Sequence, residues 1–256
     1  MELKVIEKGI TVCRPTTEDG FELNGRLWTK SSPECSLWKE AVGFCDDRKT
    51  LLHTLDETVE FRSATNGAHA SNLPQWTRTL ICLTPDGRAG QRAYIFEPEE
   101  DELRLVLARP EIAKNQAYIL LDTNEDLGKR VKRFGDKTGR TFNVSQEALK
   151  LGIRPVTSGQ SEYGTSVYTK ALMPDHAEHN AQYILANQDK VHQDYRGFGY
   201  VWFARPDLEK GHMLIRPVGL GSSGNYDDFG GVFADVGFNA GKGWARGVAS
   251  APKKSP

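Results

Sequence analysis

The sequence predicts a mixed α and β protein, with a β-rich N-terminal part and an α+β C-terminal part. Three observations carry this. Residues 79–84, 92–96 and 200–203 are short runs rich in β-branched and aromatic residues, the composition of strands. Residues 36–59 and 175–187 instead repeat apolar residues every three or four positions, the period of a helix with one buried face. No period of 20 to 50 residues recurs in the 256-residue chain, which excludes a solenoid.

Taken in order, residues 4–14 and 21–29 alternate well enough for one strand each. Trp38, Val42, Cys45, Leu52, Leu55 and Val59 mark a helix with a break near Gly43. Residues 63–74 are small and polar, as in a loop. The runs 79–84 and 92–96, joined by a Pro-Asp-Gly turn, form a hairpin, and 103–108 and 117–121 add two strands. Ser145 caps a short helix that Gly152 stops, 166–172 reads as a strand and 175–187 as a helix. Residues 200–203, 213–216 and at least one segment of the Gly-rich tail complete the strands. The expected division is 1–127, a basic connecting segment 128–155, a second part 156–250 and a disordered tail 251–256.

Hydrophobic residues make up 38% and charged residues 26%, the balance of a folded protein. No apolar run approaches the ~20 residues of a membrane-spanning helix. The N-terminus alternates charged and apolar residues rather than showing a secretory signal, so a cytoplasmic protein without membrane contact is expected. Cys13, Cys35, Cys45 and Cys82 have no C-x-x-C pairing and read as buried free thiols. Net charge is −1, yet Lys129, Arg130, Lys132 and Arg133 open a locally basic stretch suited to phosphates.

Arg196-Gly-Phe-Gly-Tyr-Val-Trp-Phe203 is the most specific segment. On a strand, Arg196, Phe198, Tyr200 and Trp202 share one face, where two aromatic rings can stack splayed bases and the arginine can meet a phosphate. Val167-Tyr-Thr-Lys-Ala-Leu172, followed by a helix, gives a partial match to the partner strand. Together they resemble the RNA recognition motif family over roughly residues 163–217. The nine residues 204–212 depart from it, because a full second helix belongs there. The resemblance implies a ferredoxin-like, recognition-motif-type sheet in the C-terminal half that binds single-stranded RNA through Arg196, Phe198, Tyr200 and Tyr168. Residues 237–249, with Lys242 and Arg246, are also similar to the Gly-rich ending of the CRISPR-associated RAMP superfamily. That likeness implies a ribonucleoprotein subunit that binds or processes guide RNA, and, if catalytic, a metal-independent endoribonuclease. The nine glycines between 219 and 247 fit either a loop gripping a ligand's phosphates, the favoured reading, or tight turns between strands. The alternative function is a non-catalytic structural or assembly protein, viral or part of a larger complex, with these aromatic strands as core.

Two further patterns carry no site. Gly219-Leu-Gly-Ser-Ser-Gly224 spells a dinucleotide fingerprint, but no helix pattern follows it. His176 and His179 lie one helical turn apart with no third ligand fixed by the sequence. Neither a cofactor nor a metal is expected.

Overall fold

The structure is a computed structural model. It describes residues 13–17, 20–66, 71, 73–86, 90–145, 162–187, 201–203, 208–221, 231–234, 236–239 and 243–249. The N-terminal part opens with β1 (Cys13–Thr17), β2 (Gly20–Leu23) and β3 (Arg26–Thr29). The sequence suggests one strand over 21–29, but the chain reverses at Asn24 and Gly25, whose φ angles are 50° and 73°. Two successive positive φ values are what a two-residue hairpin turn needs, and Asn-Gly supplies them cheaply. Helix α1 (Trp38–Asp46), β4 (Leu51–Leu52) and α2 (Leu55–Thr65) follow. The helical period therefore breaks at 47–54, not at Gly43. Thr54 ends that break, because its side chain takes the Glu57 amide while Glu57 takes the Thr54 amide at 2.7 Å.

The long strand β5 (Gln75–Asp86) and β6 (Gly90–Phe96) form the expected hairpin. Residues 103–108 do not form a strand. Residues 103–107 belong to α3 (Glu100–Leu107), with Ala108 as its C-cap, and the helix buries Leu103 and Val106 at helical spacing and leaves Leu105 exposed. Then come α4 (Pro110–Ala113), β7 (Ile119–Asp122), α5 (Asp126–Thr138) and β8 (Thr141–Ser145). The basic segment is thus a helix in its first half. The helix proposed from Ser145 lies outside the described residues. In the C-terminal half, α6 (Glu162–Thr165), α7 (Val167–Leu172) and α8 (Ala177–Ala186) precede β9 (Val201–Phe203), β10 (His212–Leu220), β11 (Val232–Ala234) and β12 (Gly247–Val248).

These strands build two sheets. The larger runs β8-β6-β5-β10-β11-β9, with β7 on the free half of β10, and the smaller runs β1-β2-β3-β12-β4. Strands from both sides of the 128–155 boundary join the larger sheet, and β12 slots between β3 and β4, so that boundary does not separate two cores. One face of the large sheet packs Ile81, Ile95, Val144 and Val218 against α2, α7 and α8. The other packs Leu80, Cys82, Phe96 and Ile215 against α1, α3 and α5. Under the small sheet, Trp28 stacks on Phe61 with ring centroids 4.9 Å apart.

This architecture corrects the ferredoxin-like expectation. That fold needs residues 167–172 as an inner strand, and they form α7 instead: Ser166 caps it by accepting the Thr169 amide at 3.2 Å, and Leu172 is fully buried. The other signature strand, β9, has three residues and pairs in parallel with β11 at the end of the sheet.

Candidate recognition surface

On β7, Ile119 and Leu121 turn into the core, while Tyr118, just before the strand, and Leu120 turn out and remain 41% and 42% exposed. Their neighbours on β10 are Leu214, opposite Leu120, and His212, opposite Asp122. The Arg216 guanidinium lies 5.6 Å from the centre of the Tyr118 ring, within reach of a cation–π attraction. Leu208 and Glu209 close one side of the groove, whose volume is about 400 Å³. An aromatic ring, a leucine pair, an arginine and a histidine thus share one shallow surface. Such a surface can hold an apolar side chain and pair polar groups around it. None of these residues was singled out in the sequence, where 117–121 reads only as a strand.

A larger cleft of about 680 Å³ lies between the small sheet and the N-terminus of α3. Two of its arginines are already paired: Arg26 with Glu57 at 2.9 Å and Arg78 with Glu99 at 3.5 Å. Catalytic chemistry finds little to use among the described residues. Burial pushes the Cys45 thiol up to about 12 and raises Cys35 and Cys82 as well, so none is a thiolate at neutral pH. Burial lowers His53 to about 3, leaving a neutral imidazole whose Nε2 donates to the Trp76 carbonyl at 2.8 Å. No group of three or more His, Cys, Asp or Glu among the described residues could hold a metal ion.

His176 and His179 have ring centres 5.3 Å apart, but His176 is engaged elsewhere. Its Nδ1 meets Asp56 Oδ2 at 2.8 Å, while Asp56 Oδ1 accepts the amides of Asp175 and His176. The hydrogen bond to Asp56, reinforced by the charges of Asp56, Glu60 and Asp175, raises the His176 pKa. The clasp joining α2 to α8 is therefore strongest when His176 is protonated. Its contribution should be complete below the ordinary value of 6.5 and disappear as pH rises through the raised value. Urea denaturation between pH 5 and pH 9 should show this decline in the wild type and lack it in His176→Gln. Parallel curves for the two proteins would rule the clasp out.

Those of the expected RNA-binding residues that are described lie apart from one another. Lys129, Arg130, Lys132 and Arg133 lie on α5, where Arg130 pairs with Asp126 at 2.8 Å. Tyr168 packs edge-on against Phe142 with centroids 5.0 Å apart, so it serves the core rather than a stacking platform. Arg246 is 1% exposed, lies 4.4 Å over the Phe61 ring and donates to the Thr29 carbonyl at 3.1 Å. It is shielded from any phosphate. Arg196, Phe198, Tyr200 and Lys242 lie outside the described residues.

The described glycines of the tail are likewise turned inward. A Cβ on Gly243 would stand 2.7 Å from the Trp76 ring, and one on Gly237 3.0 Å from Ala117. At these positions glycine admits the protein's own atoms, while Gly224, Gly230 and Gly241 of the expected phosphate-gripping loop lie outside the described residues.

No protein-family model matches the sequence, and no curated protein matches it. Among solved structures the chain is similar to one described as "Accommodation of massive sequence variation in Nanoarchaeota by the C-type lectin fold". The superposition has a TM-score of 0.56 at 14% sequence identity and covers 89% of this chain and 99% of that one. The class defined here is a fold, and that fold is the C-type lectin fold. This overturns the ferredoxin-like sheet and removes the frame on which the RNA-binding, CRISPR-associated and endoribonuclease expectations were built. Among the described residues no helix is long and apolar enough to cross a membrane.

Proposed function

We propose that this chain is a non-catalytic recognition protein that docks a polypeptide partner on the groove formed by β7 and β10. The observation that carries the proposal is the adjacent exposure of Tyr118 and Leu120, beside Arg216. Leaving two large apolar side chains together in water forgoes their burial, and aromatic, arginine and leucine clusters are what protein interfaces use as anchors. The fold by itself names no ligand, sugars included. The solved structure it resembles is described as accommodating massive sequence variation. A scaffold that does so keeps its stability in a buried framework, which leaves surface residues free to specialise. A cytoplasmic location belongs to the same proposal, supported by Cys35, Cys45 and Cys82 being free and buried.

The test is selection of a random peptide library against the protein, with a glycan array and single-stranded RNA as competing ligands. RNA is included because Lys129 and Arg133 remain exposed on α5. Enriched peptides should lose about tenfold or more in affinity with Leu120→Asp or Tyr118→Ala, while thermal stability is unchanged. Peptide binding unaffected by both substitutions, or capture of only glycan or RNA, would overturn the reading.

A further inference from the structure

The outer edge of β7 is blocked by side chains. β7 pairs with β10 in antiparallel register, Ile119 opposite Ile215 through Asp122 opposite His212. The Thr123 amide donates to the Gly211 carbonyl at 2.8 Å, which fixes the phase of the ladder. Residues 119, 121 and 123 therefore turn their amides toward β10, and Leu120 and Asp122 turn theirs outward. Both outward amides meet carboxylates. Asp122 N–H donates to Glu125 Oε1 at 3.0 Å, and Leu120 N–H faces the Glu111 carboxylate. One guanidinium holds the two acids: Arg109 reaches Glu111 at 3.1 Å and 3.3 Å and Glu125 at 2.8 Å. Partial burial works against the charge on Glu111, but Arg109 and the Leu120 amide outweigh it and keep the carboxyl below its usual range.

We propose that Arg109, Glu111 and Glu125 form a clamp that prevents strand addition at β7, and that the strand excluded is β7 of a second copy. An unprotected edge is a template for pairing, and inward-held charges are a recurrent way of blunting one. The second copy is the occupant the surface favours, because two-fold antiparallel pairing about Leu120 is self-complementary. It would set Leu120 against Leu120 and Tyr118 against Asp122, and bury the exposed apolar pair of both chains at once. This inference shares Tyr118 and Leu120 with the proposed recognition groove, but its readouts use no ligand, so the two can fail separately.

The experiment is sedimentation equilibrium of the wild type, Glu111→Ala and Arg109→Ala across a wide concentration range. The wild type should stay at the mass of one chain, and both variants should rise toward two chains as concentration increases. Adding Leu120→Pro to Glu111→Ala should restore the monomer. Proline removes the outward amide that pairing needs and leaves the ladder to β10 intact. Hydrogen exchange on dilute samples should show the Leu120 amide slow in the wild type and fast in Glu111→Ala. Folded variants that stay monomeric at every concentration, association that Leu120→Pro does not reverse, or unchanged Leu120 exchange would each overturn the clamp. If Glu111→Ala does not fold, Arg109→Ala alone and with Leu120→Pro gives the same readings.

Discussion

Arg140→Ala is expected to lower the free energy of unfolding by about 3–5 kcal/mol, the range for breaking one side of a buried ion pair. Arg140 closes β6 and β8 against the C-terminal helices. Its Nη1 meets Glu97 at 2.6 Å, its Nη2 meets Glu97 at 2.8 Å, and its Nε donates to the Ala171 carbonyl at 2.7 Å. The Arg140 side chain is 9% exposed and that of Glu97 16%, so water cannot replace what is lost. The substitution would strand a carboxylate and two carbonyls, those of Ala171 and Leu172, at the end of α7. Thr79 also donates to Glu97 at 3.2 Å, so the acid keeps one partner and the upper end of the range is not expected. Urea denaturation of Arg140→Ala, Glu97→Ala and the double variant measures this directly. The double should cost well under the sum of the singles, because the second removal leaves no unpaired charge. Additive losses would mean that the two side chains act independently.

Much of the large sheet was legible from sequence, since β5, β6, β7 and β10 carry β-branched and aromatic runs. What was hidden follows from glycine and from local ambiguity. Residues 128–155 read as a basic connecting segment, yet Gly128 and Gly135 lie inside α5. A Cβ on Gly128 would come within 3.0 Å of the Asp122 carbonyl, and one on Gly135 within 2.7 Å of the Tyr94 ring. Glycine there lets the helix press onto β7 and β6, and its helix cost of about 1 kcal/mol per residue is offset by that packing. Val167-Tyr-Thr has strand propensity, but the Ser166 cap and the burial of Ala171 and Leu172 favour a helix. Asn24-Gly25 and Thr54-x-x-Glu57 were readable local signals of the hairpin and of the start of α2. The recognition groove was not readable, because in Tyr118-Ile-Leu-Leu121 all four residues are apolar and alternation cannot tell inside from outside.

The Gly-rich tail permits the sharpest test of packing against ligand gripping. Trp76 is 3% exposed, its Nε1 donates to the Cys35 carbonyl at 3.0 Å, and its amide donates to the Trp244 carbonyl at 2.9 Å. Its ring lies directly against Gly243, whose added Cβ would meet Cδ1 at 2.7 Å and Nε1 at 2.8 Å. Trp76→Ala should cost about 3–5 kcal/mol, as truncation of a buried aromatic does. Gly243→Ala should cost about 1–3 kcal/mol through overpacking, because the ring is hemmed in and cannot retreat. The decisive quantity is their coupling. With the ring removed, the added methyl enters the space it vacates, so Gly243→Ala should cost little or become favourable in the Trp76→Ala background. A glycine kept for a ligand's approach would instead show the same small stability effect in both backgrounds. Gly243 bonds Cys35 through both its amide and its carbonyl, and Arg246 lies over Phe61 in the adjoining core under the small sheet. The described part of the tail is therefore held as framework, and the coupling should be large.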